Sequence, residues 1–86
     1  MHLLATDQPQ AIPGTAVGNK YLVQNQSTRS LLKVLGATSV PAQDAQAFRV
    51  GYDKMLGVEL TEPGESIYCW TDDPGGLALV VAFERI

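Results

Sequence analysis

From Lys20 onward the apolar residues come in short runs separated by clusters of turn-forming residues, the spacing of an antiparallel sandwich or barrel rather than of helices. Lys20 to Asn25 reads as the first strand, with Tyr21 and Val23 on one side and Leu22 and Gln24 on the other. Asn25-Gln26-Ser27-Thr28 is turn chemistry, and Ser30 to Leu35 returns as a second strand. Gly36 to Ala47 holds Pro41 and several small or amide residues, and reads as a long connection with one helical turn over 42–46. Phe48 to Val50 and Leu56 to Leu60 follow as strands around Gly51-Tyr52-Asp53-Lys54, and Leu56, Val58 and Leu60 alternate with Gly57 and Glu59. Ser66 to Thr71 places Ile67 and Cys69 opposite Tyr68 and Trp70. Three Pro-Gly pairs, in Ile12-Pro13-Gly14-Thr15, Glu62-Pro63-Gly64-Glu65 and Asp73-Pro74-Gly75-Gly76, fit type II turns.

The last strand breaks the alternation. Leu77-Ala78-Leu79-Val80-Val81-Ala82-Phe83 is apolar throughout, so neither of its faces suits water. If Leu77, Leu79, Val81 and Phe83 line the core, then Ala78, Val80 and Ala82 point out and call for a partner subunit. A one-residue slip exchanges the two sets. A central strand covered by the chain's own arm or long loop gives the same run, so both coverings stay open.

Residues 1 to 18 contain Pro9, Pro13, Gly14 and Gly18 and follow neither the helical nor the strand period. They read as an extended N-terminal arm ahead of a single β domain over 19–86. Leu3, Leu4, Ile12 and Val17 give the arm apolar handholds that order against a neighbour, unless the terminus frays. The predicted fold is therefore all-β: a small antiparallel sandwich or barrel, jelly-roll or Greek-key-like, of about six strands with an extended arm.

At 86 residues a single core is marginal, and such folds usually carry a staple. Cys69 is the only cysteine, so no disulfide forms within the chain. His2 and Cys69 are too few to build a structural zinc site, which leaves oligomerisation. Six basic and nine acidic side chains give a net charge of −3, and Lys20, Arg29, Lys33, Arg49, Lys54 and Arg85 are dispersed. That pattern argues against nucleic acid or an anionic membrane as partner. The longest apolar run is too short for a membrane helix, and the first residues lack the pattern of a secretory leader, so synthesis in a cytoplasm is expected.

Little in the chain suggests catalysis. The sole histidine lies on the arm, away from any nucleophile, and Cys69 sits in the apolar alternation of a strand, where cysteine behaves as a small hydrophobe. Asp72 and Asp73 diverge at a strand-to-turn junction and read as turn usage rather than a cation site. No catalytic residue, metal ligand or cofactor is assigned. Tyr68 and Trp70, with Tyr52 on a nearby turn, offer an aromatic platform for a sugar ring or a protein hot spot, or else complete a small core.

The Pro/Thr/Ala-containing arm, the Tyr21-Leu22-Val23-Gln24-Asn25 strand, the Pro63-Gly64-Glu65-Ser66 turn before a strand ending near Trp70, and the Val-rich last strand resemble small accessory virion proteins of tailed bacteriophages. Capsid decoration or cement proteins are the nearest kind. The resemblance implies a non-enzymatic structural role in the virion, as trimers or other homo-oligomers bound to the major capsid protein or another virion protein. Arm and terminal strand would make the contacts, through Leu3, Leu4, Ile12, Val17, Ala78, Val80 and Ala82. A tail or fibre location, or a carbohydrate- or receptor-binding module, is the alternative.

Overall fold

Turns fix where this chain reverses. In the computed structural model, which describes residues 1–15 and 17–85, the amide of Glu65 donates to the carbonyl of Glu62 at 3.0 Å and that of Gly76 to Asp73 at 2.9 Å. Gly64 and Gly75 sit at φ of 80° and 71°, the left-handed conformation a type II turn requires at its third position. Thr15 closes the Ile12 turn in the same way. Residues 51–54 turn with Asp53 at φ 58°, and the Lys54 amide donates to Gly51 at 3.1 Å. Asp is among the residues that tolerate this region.

Between the turns lie eight strands: β1 (His2–Ala5), β2 (Gln10–Ala11), β3 (Lys20–Asn25), β4 (Leu32–Ala37), β5 (Phe48–Val50), β6 (Met55–Glu59), β7 (Ser66–Thr71) and β8 (Ala78–Arg85). All pairings are antiparallel. One sheet has the order β1-β8-β3-β6 and the other β2-β7-β4-β5. We call them sheet I and sheet II. First strand pairs with last, second with seventh, third with sixth and fourth with fifth, so the chain is a ribbon doubled on itself and divided between two layers.

The expectation of about six strands is corrected to eight, and the two extra ones come from the segment read as an arm. Residues 2–5 pair with β8, from His2 against Val81 to Ala5 against Ala78. The chain then crosses to sheet II, where Gln10 and Ala11 pair with Cys69 and Tyr68. Asp7 anchors the crossing by accepting the Gly75 amide at 2.9 Å, and the Thr6 carbonyl accepts the Thr71 amide at 2.8 Å. The N-terminal residues are thus edge strands of both sheets. The helical turn expected over 42–46 is one hydrogen-bonded turn, with the Ala45 amide donating to Ala42.

One core cluster draws on both layers: Ala5, Tyr21, Val23, Ala78, Val80 and Ala82 from sheet I, and Leu32, Val34, Val50, Ile67 and Cys69 from sheet II. Ile12 and Leu60 close it from the connections. Asn25, wholly buried, ties the β3–β4 connection to the end of β5. Its Nδ2 donates to the carbonyls of Ser30 (3.0 Å) and Val50 (2.9 Å), and its Oδ1 accepts the Ser27 amide at 2.9 Å. Every polar atom of this side chain therefore has a partner, which is what makes its burial affordable.

Candidate functional site

The two sheets differ in what covers their outer faces. On sheet II the connection 38–47 folds across the strands. Trp70 Nε1 donates to the Gln43 carbonyl at 2.8 Å and Lys33 Nζ to the Ala45 carbonyl at 3.2 Å. Lys33 is buried, stands 5.5 Å from the Trp70 ring centre, and pairs with Asp72 at 3.6 Å; Arg49 reaches the other Asp72 oxygen at 3.5 Å. Trp70 has 0% exposure. An indole needs a hydrogen-bond acceptor when buried, and the connection supplies it.

This corrects the aromatic platform. Tyr68 and Trp70 do share the outward face of β7, as their alternation requires, but Trp70 lies beneath the chain's own loop and Tyr68 is half-buried. Tyr52 is exposed on the β5–β6 turn, and β5 lies two strands from β7 in the sheet. Tyr52, Tyr68 and Trp70 therefore do not form one open aromatic face.

Sheet I has the reverse character. Along β8, Ala78, Val80 and Ala82 are 2%, 0% and 1% exposed, whereas Leu79 and Phe83 are 44% and 50% exposed. The orientation expected for the last strand is corrected: the small set faces in and the large set faces out. Volume explains it. The core that β8 borders already holds Ile12, Leu32, Leu60 and Ile67, with Tyr21 from the adjacent strand β3, all fully buried, and interior space at crystal-like density leaves room there for alanine and valine only. Leu77, also expected inside, is exposed just before the strand.

The outer face of sheet I can be read from its registers. Across it, Leu4 stands beside Leu79, and His2 beside Val81, Gln24 and Met55. The next row is Phe83, Leu22 and Gly57, and Lys20 beside Glu59 closes the end. Leu4, Met55, Leu79 and Phe83 are exposed, Leu22 is half-buried, and Val81, in the middle, is shielded by its neighbours. Gly57 leaves a dent bounded by Lys20, Val58 and Glu59, with a volume of about 240 Å³. Gln24 is already satisfied within the chain, its Nε2 donating to Asp53 Oδ1 at 3.0 Å and its Oε1 accepting from Gln26 Nε2 at 3.1 Å. The face is mostly apolar, with Gln24 its one polar residue on an inner strand away from the ends and His2, Lys20 and Glu59 toward its margins.

Of the seven residues expected to meet a partner, Ala78, Val80, Ala82 and Ile12 are core residues and Leu3 packs half-buried against that core. Leu4 and Val17 are exposed, and Leu4 alone belongs to the open face. Sequence reasoning missed Leu22, Met55, Leu79 and Phe83 as surface residues. The available signal was size: Leu77, Leu79 and Phe83 share one phase of the strand and the smaller Ala78 and Ala82 the other, and small residues fit an already filled core.

A second concavity, about 410 Å³, opens between edge strands β5 and β6, lined by Val34, Phe48, Leu56 and Val58 with Glu65 at its rim. Glu65 Oε1 is occupied by the Thr61 and Glu62 amides at 2.9 and 3.2 Å. Burial pushes the Cys69 thiol up to about 12, so it stays protonated and unreactive at neutral pH. Among the described residues no group of three or more His, Cys, Asp or Glu side chains is placed to hold a metal ion, and no helix is long and apolar enough to cross a membrane. No protein-family model matches the chain, and neither a curated protein nor a solved structure shows significant similarity to it.

Proposed function

We propose that this protein is a non-enzymatic structural component of a tailed-phage particle, a capsid-decorating module that assembles with copies of itself and with the virion surface. One observation carries the reading: the chain covers one outer sheet face with its own loop and leaves the other apolar and open. Exposed apolar patches of this kind, rimmed by polar residues, mark interaction sites. The strand pairing supports a jelly-roll sandwich, an architecture used in viral coat and lectin domains, although fold alone does not assign function. The polar margin and the burial of Trp70 beneath the chain's own loop favour assembly over sugar binding. In this role weak contacts repeated by symmetry gain strength through multivalency.

The test is genetic and physical. Particles produced with the gene deleted are expected to lack this protein and to release their DNA at a lower temperature, with the purified protein restoring the original value. Wild-type particles that contain none of it, or deletion particles of unchanged thermal stability that do not bind it, would refute the reading.

A further inference from the structure

We propose that the free edge of β6 takes an extended segment of a different polypeptide as a fifth, antiparallel strand of sheet I, whose alternate apolar side chains seat in the groove between β5 and β6. The inference goes beyond the virion reading, whose open face is the outer side of sheet I. Directly opposite residues share a face, so Leu56 and Val58, paired with Val23 and Tyr21, and Phe48, paired with Val34, point between the sheets. Val23, Tyr21 and Val34 are buried, yet Phe48 is 65% exposed and Leu56 and Val58 are half-buried. The sandwich is unfinished on this side. On the opposite side the chain itself crosses from β1 to β2, and Ala5 and Ile12 beside that crossing are fully buried.

Backbone chemistry selects the occupant. The Asn25 amide donates to the Lys54 carbonyl and the Leu60 amide to the Asn19 carbonyl, both at 3.2 Å. By the alternation of an antiparallel ladder, Leu56 and Val58 then bond to β3, while the N–H and C=O groups of Met55, Gly57 and Glu59 point to the edge. Such a row is a template for another extended chain. At five residues β6 is the longest of the four edge strands, and it carries neither the proline nor the lysine that guards an edge. Gly57 at its middle lets a second backbone approach closely. The groove of about 410 Å³ beside this edge, lined by Val34, Phe48, Leu56 and Val58, receives aliphatic side chains from every second position of the added strand. Glu59 and Glu65, also on its lining, favour a lysine or arginine at that end. A second copy does not meet these terms. Pairing β6 with β6 offers only Leu56 and Val58, which already line their own groove, so two grooves meet mouth to mouth and neither is filled.

Amide hydrogen exchange of the full chain tests it, with an end-capped heptapeptide that sets Val, Leu and Val alternately with Thr between terminal Lys residues. In the free protein the amides of Leu56 and Val58 exchange slowly and those of Met55, Gly57 and Glu59 fast. Saturating peptide is expected to slow those three at least about tenfold. The same peptide N-methylated at its two Thr amides keeps every side chain but loses two donors to the edge, and is expected to bind at least about tenfold more weakly. Phe48→Lys, at an exposed position in the groove, is expected to weaken binding of the unmethylated peptide as much, while Phe83→Lys on the outer face leaves it unchanged. The last variant keeps this test apart from the virion reading, which rests on that outer face. No slowing at about 1 mM peptide, or equal binding of the methylated peptide, would overturn the proposal. Slowing of the three amides on raising the protein concentration alone would overturn it in favour of a second copy.

Discussion

Two substitutions on adjacent residues of β8 separate the inward from the outward set. Val80 has no exposure, lies between Leu3 and Asn25 in the sheet, and belongs to the core cluster. Val80→Ala removes two methyl groups, worth about 1.6 kcal/mol of transfer free energy at ~0.8 kcal/mol each. A residual cavity of roughly 40 Å³ adds about 1 kcal/mol at ~24 cal/mol per Å³, giving a total near 2.5 kcal/mol. Leu79→Ala removes three carbons that are about half in water already, which costs about 1 kcal/mol and leaves no closed cavity. Urea denaturation at about 1 µM protein reads the difference, because weak self-association makes no contribution at that dilution. With a slope of about 1 kcal/mol per M, the midpoints fall by roughly 2.5 M for Val80→Ala and 1 M for Leu79→Ala. Equal losses, or a larger loss at Leu79, would mean that β8 presents its large side chains to the core and would remove the open face.

Two further outcomes follow from the interior. Asn25→Ala leaves the Ser30 and Val50 carbonyls and the Ser27 amide without their partner, and is expected to lower stability by about 3–5 kcal/mol in the same assay, against less than 1 kcal/mol for Gln26→Ala on the surface. For Cys69 the sign runs against alkali. The unfolded thiol ionises near 9.0 while the folded one holds its proton to about 12, so the unfolded state binds fewer protons between those values and stability falls as pH rises through them. Below pH 9 the thiol adds no slope. A comparison of wild type with Cys69→Ala from pH 8 to 11 should show the steeper decline in wild type, and iodoacetamide at pH 8 should label Cys69 only after denaturation.

Local chemistry was legible in the sequence, and long-range pairing was not. The Pro-Gly turns, the alternation of Tyr21 and Val23 against Leu22 and Gln24, and the burial of Cys69 each depend on residues within a few positions of one another, and all appear in the fold. His2–Ala5 and Gln10–Ala11 carry no strand signature of their own, since a four-residue and a two-residue edge strand are defined by β8 and β7, more than fifty positions away. The phase of β8 was undetermined for a related reason. An apolar run satisfies either orientation locally, and only the volume contributed by Tyr21, Ile12, Leu32 and Ile67 decides which set fits. Trp70 shows the same limit: its alternation correctly placed it with Tyr68, but the Gln43 carbonyl that covers it belongs to a connection with no periodic signal.

Sedimentation equilibrium of the full chain from about 5 to 500 µM, run beside Phe83→Lys, addresses the central claim most directly. Wild type should pass reversibly from monomer to a homo-oligomer across that range while the variant, equally folded, stays monomeric. A wild-type protein that remains monomeric at 500 µM, or a variant that associates as strongly, would contradict it.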